Sequence, residues 1–295
     1  MIKVFPQYDQ VEVVKWFSHV YKCHSTSTGE TVVIKRIPRR EIINSSVERE
    51  TNHFRKLDHA NIARLIDVRD DEYGIFLAFE TMDLDMHQLI MNPEITMSSK
   101  LIKDFLHQII CGIAHCHSQN ILHRCVKPKY LLVDLCKHIV KLSEFGFAME
   151  DGLSMKEYSR KHEKILGYTA PELLLGAKKF TAAADIWSVG CIFGEMVIRR
   201  PLFSCLNIYE EALSIWRLLG TPNEENWPGV TDLCRLINVL PQMDPKILAE
   251  EFPGLEVDGI DLLSKMLCLD PRKRITAKDA VEHKYFNDII INNST

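Results

Sequence analysis

The chain has 295 residues, enough for two compact lobes, and its 46% hydrophobic and 26% charged residues are typical of a folded protein rather than a disordered one. Lysine and arginine number 36 against 40 aspartates and glutamates, so the formal net charge is −4. This balance argues against nucleic acid as a partner, because nucleic-acid-binding proteins favour a basic stripe.

The first part of the chain, up to about residue 80, is rich in β-branched residues, which favour strands. Strands are predicted at Val11–Val14, Val32–Ile37 and Ile75–Glu80. Asn44–Ser46 are of the residue types that cap the N-terminus of a helix, and the pattern after them predicts a helix over Val47–Leu57.

After about residue 98, apolar residues recur at helical spacing. Amphipathic helices are predicted at Leu101–Ser118, Thr181–Ile198 and Asp258–Leu267, with glycine and proline between them. We expect the hinge between the two parts at Glu80–Asp85. The sequence therefore predicts an α+β fold, in which a small strand-rich lobe with one helix precedes a larger helical lobe.

The cysteines and the N-terminus bear on cellular location. The nine cysteines include no C-x-x-C pair, so we expect reduced thiols without a disulfide framework or a zinc site. No apolar run approaches the roughly 18 residues of a membrane span, and the first residues do not resemble a signal peptide. We therefore expect a nuclear or cytoplasmic protein that does not bind a membrane.

A set of short motifs follows in a fixed order along the chain. These motifs are VVIK ending at Lys35, Glu50 in the predicted helix, HRCVKP from His123, SEFG from Ser143, APE from Ala170 and ADIWSVG from Ala184. Each is weak alone, but their order and spacing resemble the protein-kinase set of strand lysine, helix glutamate, H-R-D loop, D-F-G and A-P-E.

One branch of the kinases is closest to this sequence. The segment Asn44–Glu50, NSSVERE, stands where cyclin-dependent kinases carry P-S-T-A-I-R-E, and LGTPNE from Leu219 is similar to the same branch. Residues 111–114 and 266–271 resemble the plant members. On these residues the chain is identified as a member of the cyclin-dependent kinase family, of plant type, with degenerate catalytic motifs.

The resemblance implies the bilobal protein-kinase fold, with residues 1–82 as the N-lobe and 83–295 as the C-lobe. Together they form a single kinase domain over about residues 8–286. The resemblance also implies that ATP and Mg²⁺ bind between the lobes and that a cyclin binds the helix that carries Glu50. The nucleotide-binding positions that it implies are Val13, Lys15, Ser18, Val33, Lys35, Glu50, Phe79, Glu80 and Met82.

The phosphate loop departs from the family. Val13, Lys15 and Ser18 replace the three glycines of G-x-G-x-x-G, which let the backbone approach the phosphates closely. Lys15 either supplies charge near a phosphate or is the solvated lysine of an ordinary hairpin, and the second interpretation is favoured. Val33 replaces the alanine above the adenine, and overpacking of this kind typically costs about 1–3 kcal/mol.

The catalytic and metal positions depart as well. Glu144 replaces the aspartate of D-F-G, and Tyr130 replaces the asparagine that holds a second Mg²⁺, for which a phenol is a poor ligand. Cys125 replaces the catalytic aspartate, although Lys127, which meets the γ-phosphate in the family, is kept. Cys125 is either a nucleophile activated by neighbouring cations or a small residue that fills space, and the second interpretation is favoured.

The partner-binding helix differs at one position. Glu48 replaces the isoleucine of P-S-T-A-I-R-E, which enters an apolar pocket of the cyclin in the family. Burying an unpaired carboxylate costs several kcal/mol, so a standard cyclin is a doubtful partner. A cyclin-like protein with a basic pocket, or another protein, fits the segment Asn44–Glu50 better, unless Glu48 is an ordinary surface glutamate.

The residues that maintain the kinase framework are kept. Asp185 matches the aspartate that anchors the catalytic loop, and Glu172 and Arg274 match the pair that ties A-P-E to the last helices. Three hypotheses remain open: a pseudokinase that binds other proteins and binds ATP and Mg²⁺ weakly or not at all, an active proline-directed Ser/Thr kinase in cell-cycle or transcription control, and a decaying gene copy. The lost aspartate favours the first or the third.

Overall fold

The structure, a computed structural model, describes residues 10–13, 20–24, 29–39, 51–52, 54–145, 149–150, 166–235, 237 and 241–292, and for residues 10–13, 149–150 and 290–292 it describes the backbone alone. The elements of the N-terminal part are β1 Gln10–Val13, β2 Val20–His24, β3 Thr31–Pro38, β4 Leu65–Asp71 and β5 Gly74–Glu80. They form one antiparallel sheet in the order β1-β2-β3-β5-β4. The three predicted strands lie within this sheet, and the part of the first that is described is β1.

The register of β3 and β5 decides which side chains face the helical lobe. Val33 lies opposite Phe79 and Lys35 lies opposite Leu77. Because cross-strand partners share a face of the sheet, Lys35 lies on the same face as Leu77 and Phe79, which belong to the main hydrophobic core.

The predicted helix of the N-terminal lobe is described in its second half. Residues 51–52 and 54–56 are helical, and Phe54 and Leu57 are buried against the sheet in the main core. Residues 47–50 lie outside the described part of the chain.

The C-terminal part is mainly helical. Its strands are β6 Leu84–Asp85, β7 Ile121–Leu122, β8 Leu131–Asp134, β9 Ile139–Leu142 and β10 Met149–Glu150. Its helices are α1 Met86–Met91, α2 Ser99–Ser118, α3 Pro171–Leu174, α4 Ala182–Ile198, α5 Ile208–Leu219, α6 Val230–Leu233, α7 Leu248–Glu251, α8 Val257–Met266, α9 Ala277–Val281 and α10 Asn287–Asn292, and Pro128–Tyr130 and Lys284–Phe286 are 3₁₀ turns. Among the described residues, no helix is long and apolar enough to cross a membrane.

The three predicted helices of this part are confirmed as α2, α4 and α8. The Ser98 side chain caps α2 by accepting a hydrogen bond from the Leu101 backbone N–H. Thr181 is the N-cap of α4 rather than its first helical residue, because its backbone is extended, with φ −128° and ψ 165°. Most of α4 is buried, so this helix forms the centre of the lobe.

The connection between the lobes lies where the sequence predicts it. β5 ends at Glu80 and β6 begins at Leu84. Between them, the Asp83 backbone N–H donates to the Val133 carbonyl of β8 at 3.0 Å, which ties the connection to the helical lobe. The nine cysteines, all of them within the described residues, are free thiols.

Candidate active site

The loop after β7 is held by a buried carboxylate of α4. Asp185 is 0% exposed, and its two oxygens accept the backbone N–H groups of His123 at 2.9 Å and Arg124 at 2.8 Å. Arg124 has a φ of 66°, in the left-handed region that residues other than glycine rarely adopt. The loop therefore keeps its conformation through Asp185, and the predicted anchoring role of this residue is confirmed.

The histidine of this loop is part of the core. His123 is 0% exposed, and burial lowers its pKa, so the ring is neutral. The Cys125 backbone N–H donates to His123 Nδ1 at 3.3 Å, so the ring proton lies on Nε2, which donates to the Ser143 carbonyl at 3.0 Å. The ring also packs 4.7 Å from the Phe145 ring, which leaves no free nitrogen for acid–base chemistry.

The side chain at the catalytic position is buried. Cys125 is 1% exposed and belongs to the main hydrophobic core, although the family places an aspartate there that faces the substrate. A nucleophile must reach its substrate, whereas a buried thiol is inert as a structural residue. The space-filling interpretation of Cys125 is therefore the one that its burial favours.

Glu144 forms an ion pair with the strand lysine. Lys35 Nζ lies 2.9 Å from Glu144 Oε1, and the two side chains are 23% and 22% exposed. Glutamate is one methylene longer than the family's aspartate, which extends its carboxylate toward the lysine. Glu50, which the resemblance pairs with Lys35, lies outside the described residues.

Lys127 of the loop packs on Tyr130, the tyrosine that stands at the family's metal-binding asparagine position. Lys127 Nζ lies 4.5 Å from the centroid of the Tyr130 ring, a cation–π contact. The Tyr130 carbonyl accepts hydrogen bonds from the Ser143 N–H at 2.9 Å and from the Ser143 hydroxyl at 3.0 Å. These bonds hold Tyr130 beside the segment that carries Glu144.

Three residues predicted to bind the nucleotide lie at the end of β5 and in the connection that follows it. Phe79 is 8% exposed and lies opposite Val33, and Met82 is partly buried in the connection. Glu80 Oε1 accepts from Lys141 Nζ at 2.8 Å and from the Arg64 backbone N–H at 2.7 Å, so this carboxylate is also paired within the chain.

The predicted phosphate loop can be located only in part. Val13 ends β1, with its backbone opposite Tyr21. Lys15 and Ser18 lie outside the described residues, as does the predicted partner segment Asn44–Glu50.

The segment with the A-P-E motif is tied to the last helices. Arg274 makes two parallel hydrogen bonds of 2.9 Å to the two oxygens of Glu172, and both residues are buried. The guanidinium also lies 5.1 Å from the Trp187 ring centroid. The predicted ion pair between these two residues is confirmed.

Two buried glutamates behind the A-P-E segment were not predicted from the sequence. Glu211 Oε1 accepts the backbone N–H groups of Gly167 at 2.9 Å and Thr169 at 2.7 Å. Glu195 Oε2 accepts the Tyr168 hydroxyl at 2.8 Å. Burial raises the pKa of Glu211 to about 7 and also raises the pKa of Glu195, so the segment is held by carboxyl groups that burial makes easier to protonate.

The burial of Glu211 could have been predicted from its spacing to apolar residues of the same helix. It stands four residues before Ile215 and one before Ala212, and all three lie on the buried side of α5. A glutamate in register with an apolar face predicts a buried carboxylate that needs backbone or side-chain donors.

Together, the strand lysine, the anchored loop around His123 and the Glu172–Arg274 pair define the framework of a protein kinase. The family model of the protein kinase domain matches residues 16–286. The chain therefore belongs to the protein kinase family, with a β-sheet N-lobe and a helical C-lobe.

A curated relative narrows the family. The chain is 38% identical to a cell division control protein 2 homolog 2 of Trypanosoma brucei brucei over 290 residues. The matched region covers 96% of this chain and 83% of that protein. The chain thus belongs to the cyclin-dependent kinase family of eukaryotes. The resemblance to plant members stays a prediction.

The metal positions do not fit the cofactors that kinase domains generally use, ATP and Mg²⁺. Mg²⁺ requires near-octahedral oxygen ligands. Glu144 is engaged by Lys35, and Tyr130 offers a neutral phenol whose ring contacts Lys127.

Proposed function

We propose that this protein is a cyclin-dependent-kinase homologue with little or no phosphotransfer, which acts by binding other proteins. One observation carries the proposal: Cys125 is buried where the family places its catalytic aspartate, so no carboxylate stands at that position to accept the proton of a substrate hydroxyl. The two metal positions add to this, because Glu144 pairs with Lys35 and the ring of Tyr130 contacts Lys127.

The size of the loss supports inactivity. Removing a positioned base typically costs a factor of about 10²–10⁴, or about 3–5 kcal/mol of barrier. Kinases turn over at about 1–100 per second, so the loss of a base together with a metal ligand leaves little rate above background. The effects of removing groups that act as a unit are not additive, so the combined loss of rate is smaller than the product of the separate losses. The base is still absent.

The binding partner we propose is a cyclin-like protein, or another protein, on the segment Asn44–Glu50. Glu48 within it favours a partner with a basic pocket over a standard cyclin, because an unpaired carboxylate is costly to bury. Nine free thiols suit a reducing compartment, so we propose a nuclear or cytoplasmic location.

A phosphotransfer assay tests the proposal. Purified protein, alone and with a cyclin, is incubated with labelled ATP, Mg²⁺ and Ser-Pro or Thr-Pro peptides, and Lys35→Met is the control. We expect no transfer above the control. Robust peptide phosphorylation that disappears in Lys35→Met would contradict the proposal. Cys125→Asp by itself is expected to restore little, because the metal defect remains.

The second candidate is an active proline-directed Ser/Thr kinase that uses unusual residues. One set of contacts favours it: Phe145, the residue after Glu144, packs edge-to-face on Phe54 and at a tilt on His123, with centroids 4.8 Å and 4.7 Å apart. This segment is therefore packed in the core beside the loop that Asp185 anchors. The same assay separates the two candidates.

A binding assay tests the partner. Wild type and Glu48→Ile are compared in pull-downs with standard cyclins. We expect the wild type to bind at least about 100-fold more weakly, which corresponds to about 2.7 kcal/mol. Equal binding by both would show that Glu48 does not face the cyclin and would strengthen the second candidate. Failure of the wild type to bind any nuclear or cytoplasmic protein would favour a decaying gene copy.

A further inference from the structure

We propose that the contact between the lobes at residues 59–63 is a proton-sensitive switch, in which protonation of His59 releases Asn61 from the helical lobe. Residues 59–63, here called the joint segment, connect the helix of the N-lobe to β4. The proposal is independent of phosphotransfer. His59 and Asn61 are not among the nucleotide, metal or catalytic positions of the cleft between the lobes, where Lys35 and Glu144 pair.

Asn61 attaches the joint segment to the helical lobe. Its carbonyl accepts the Leu142 backbone N–H of β9 at 2.8 Å, and the Ala63 N–H donates to the Leu142 carbonyl at 2.9 Å. The Asn61 Nδ2 group donates to Gln108 Oε1 of α2 at 2.9 Å and to the Val140 carbonyl at 3.0 Å. A displacement of Asn61 therefore loosens contacts with both β9 and α2.

His59 fixes the position of Asn61. The Asn61 backbone N–H donates to His59 Nδ1 at 3.0 Å, and the Ile62 N–H donates to the His59 carbonyl at 3.0 Å. Because Nδ1 accepts a hydrogen bond, the ring proton of neutral His59 lies on Nε2. A second proton must go to Nδ1, where it would meet the Asn61 N–H, donor against donor. The protonated ring therefore cannot keep this turn.

The surroundings of His59 also disfavour its charged form. The ring stacks on that of His115 in α2, with centroids 4.9 Å apart and the planes 25° from parallel. His115 Nε2 is buried without a hydrogen-bond partner among the described residues, so a charged His115 would leave a buried N–H without an acceptor. Burial and the charge of His115 lower the pKa of His59 below 6.5. Asp58 opposes this shift, whereas Lys141, which itself pairs with Glu80 at 2.8 Å, adds to it.

Acid is therefore expected to open the joint segment. A released His59 has the ordinary pKa of about 6.5, whereas the pKa in the closed joint is lower. The open form takes up a proton that the closed form excludes, so opening becomes easier as the pH falls below about 6.5. Release that is coupled to one proton raises the opening constant by at most about tenfold per pH unit.

Hydrogen–deuterium exchange of the full chain between pH 7.5 and pH 5.5 tests the proposal. Mass spectrometry follows peptides that cover residues 61–63 and 140–142, and each rate is divided by the intrinsic rate at the same pH to give the opening constant. We expect the opening constant of both peptides to rise at least about threefold over this range, while that of α4 stays constant. Constant opening of the joint segment, or opening only together with α4, overturns the proposal.

His59→Asn locates the cause. An asparagine side chain still accepts the backbone N–H two residues further on, but it does not titrate. We expect the pH response of both peptides to disappear in this variant, and a response that persists overturns the role of His59. NMR titration of the His59 ring in the folded wild type is a second measurement that needs no variant. A pKa of 6.5 or higher there also overturns the proposal.

The matched control is His283→Asn beside α8. His283 Nδ1 accepts the Tyr285 backbone N–H at 3.3 Å, with the same spacing of two residues, and burial lowers the pKa of this ring as well. The control is expected to leave the pH response of the joint segment as in the wild type, and melting temperatures show that both variants are folded. An equal loss of the response in both variants would show that the effect is not specific to His59, and the proposal would fail.

Discussion

In the core of the helical lobe, buried charged groups meet strong partners: Arg274 forms two hydrogen bonds with Glu172, and Asp185 accepts two backbone N–H groups. In the cleft, Lys35 and Glu144 pair while about a fifth of each side chain is exposed. The first set matches the kinase pattern residue by residue, whereas the cleft departs from it at most positions that handle phosphate or metal.

The difference follows from the cost of changing each region. Removing one partner of a buried ion pair leaves an uncompensated charge and costs about 3–5 kcal/mol, a large part of the stability of a domain. Removing one partner of a partly exposed ion pair costs about 0–1 kcal/mol, because water solvates the charge that remains. The framework must therefore be kept for the chain to fold, while the cleft can lose its chemistry and the fold persists.

The largest effect is expected at the framework pair. Arg274→Ala leaves the Glu172 carboxylate buried and without the guanidinium, so we expect the free energy of unfolding to fall by about 3–5 kcal/mol. Urea denaturation at neutral pH measures this. Lys246→Ala, which breaks a pair whose side chains are 51% and 35% exposed, is the control and should cost at most about 1 kcal/mol. Equal losses in the two variants would break the comparison between buried and exposed pairs.

The next effect is a pH dependence at Glu211. Burial raises the pKa of this carboxyl from 4.5 to about 7, so the folded state binds a proton between these values that the unfolded state has released. The contribution of Glu211 to stability is therefore highest below about pH 4.5 and falls by about 3 kcal/mol as the pH rises to about 7.

Glu211→Gln isolates this effect. The amide oxygen can still accept the N–H groups of Gly167 and Thr169, but the side chain no longer titrates. We expect wild type minus variant stability to fall by about 3 kcal/mol between pH 4.5 and pH 8, measured by urea denaturation. A difference that is constant with pH would show that Glu211 stays ionised in the fold.

A small effect is expected in the cleft. Glu144→Gln removes the ion pair with Lys35, and because both side chains are partly exposed we expect a loss of at most about 1 kcal/mol. Thermal and urea denaturation measure it beside Arg274→Ala. A loss as large as that of the framework variant would mean that the cleft pair also maintains the fold, and the distinction between the two regions would fail.

The smallest effect concerns two stacked histidines, His59 and His115. The rings of His59 and His115 stack with centroids 4.9 Å apart, and the pKa of His59 is lowered by burial and by the charge of His115. His59 thus favours the fold when neutral, and its contribution declines as the pH falls below about 6.5. His115→Phe keeps the stacked ring, so we expect the pKa of His59 to rise, as followed by NMR, with a stability change within about 0.5 kcal/mol. An unchanged pKa would show that burial alone depresses it.

The sequence predicted the framework because its signals are local. The spacing of apolar residues within α2 or α4 is enough to predict each helix without knowledge of the rest of the fold. The motifs around Asp185 and Glu172 identify the partners of these residues through the family pattern. Helix ends were less certain: Thr181 belongs to the pattern of α4, yet its extended backbone makes it a cap.

The sequence by itself determined the class of fold, the order of the lobes and the loss of the catalytic aspartate at Cys125, because these depend on residue identity and local spacing. The tertiary structure decided how the remaining charges pair. Lys35 and Glu144 are 109 residues apart in the chain, and their contact depends on β3 and the segment after β9 meeting across the cleft. Glu211 likewise meets Gly167 and Thr169 only after α5 packs behind the A-P-E segment. No local pattern encodes either approach, since each distance is set by the packing of whole elements.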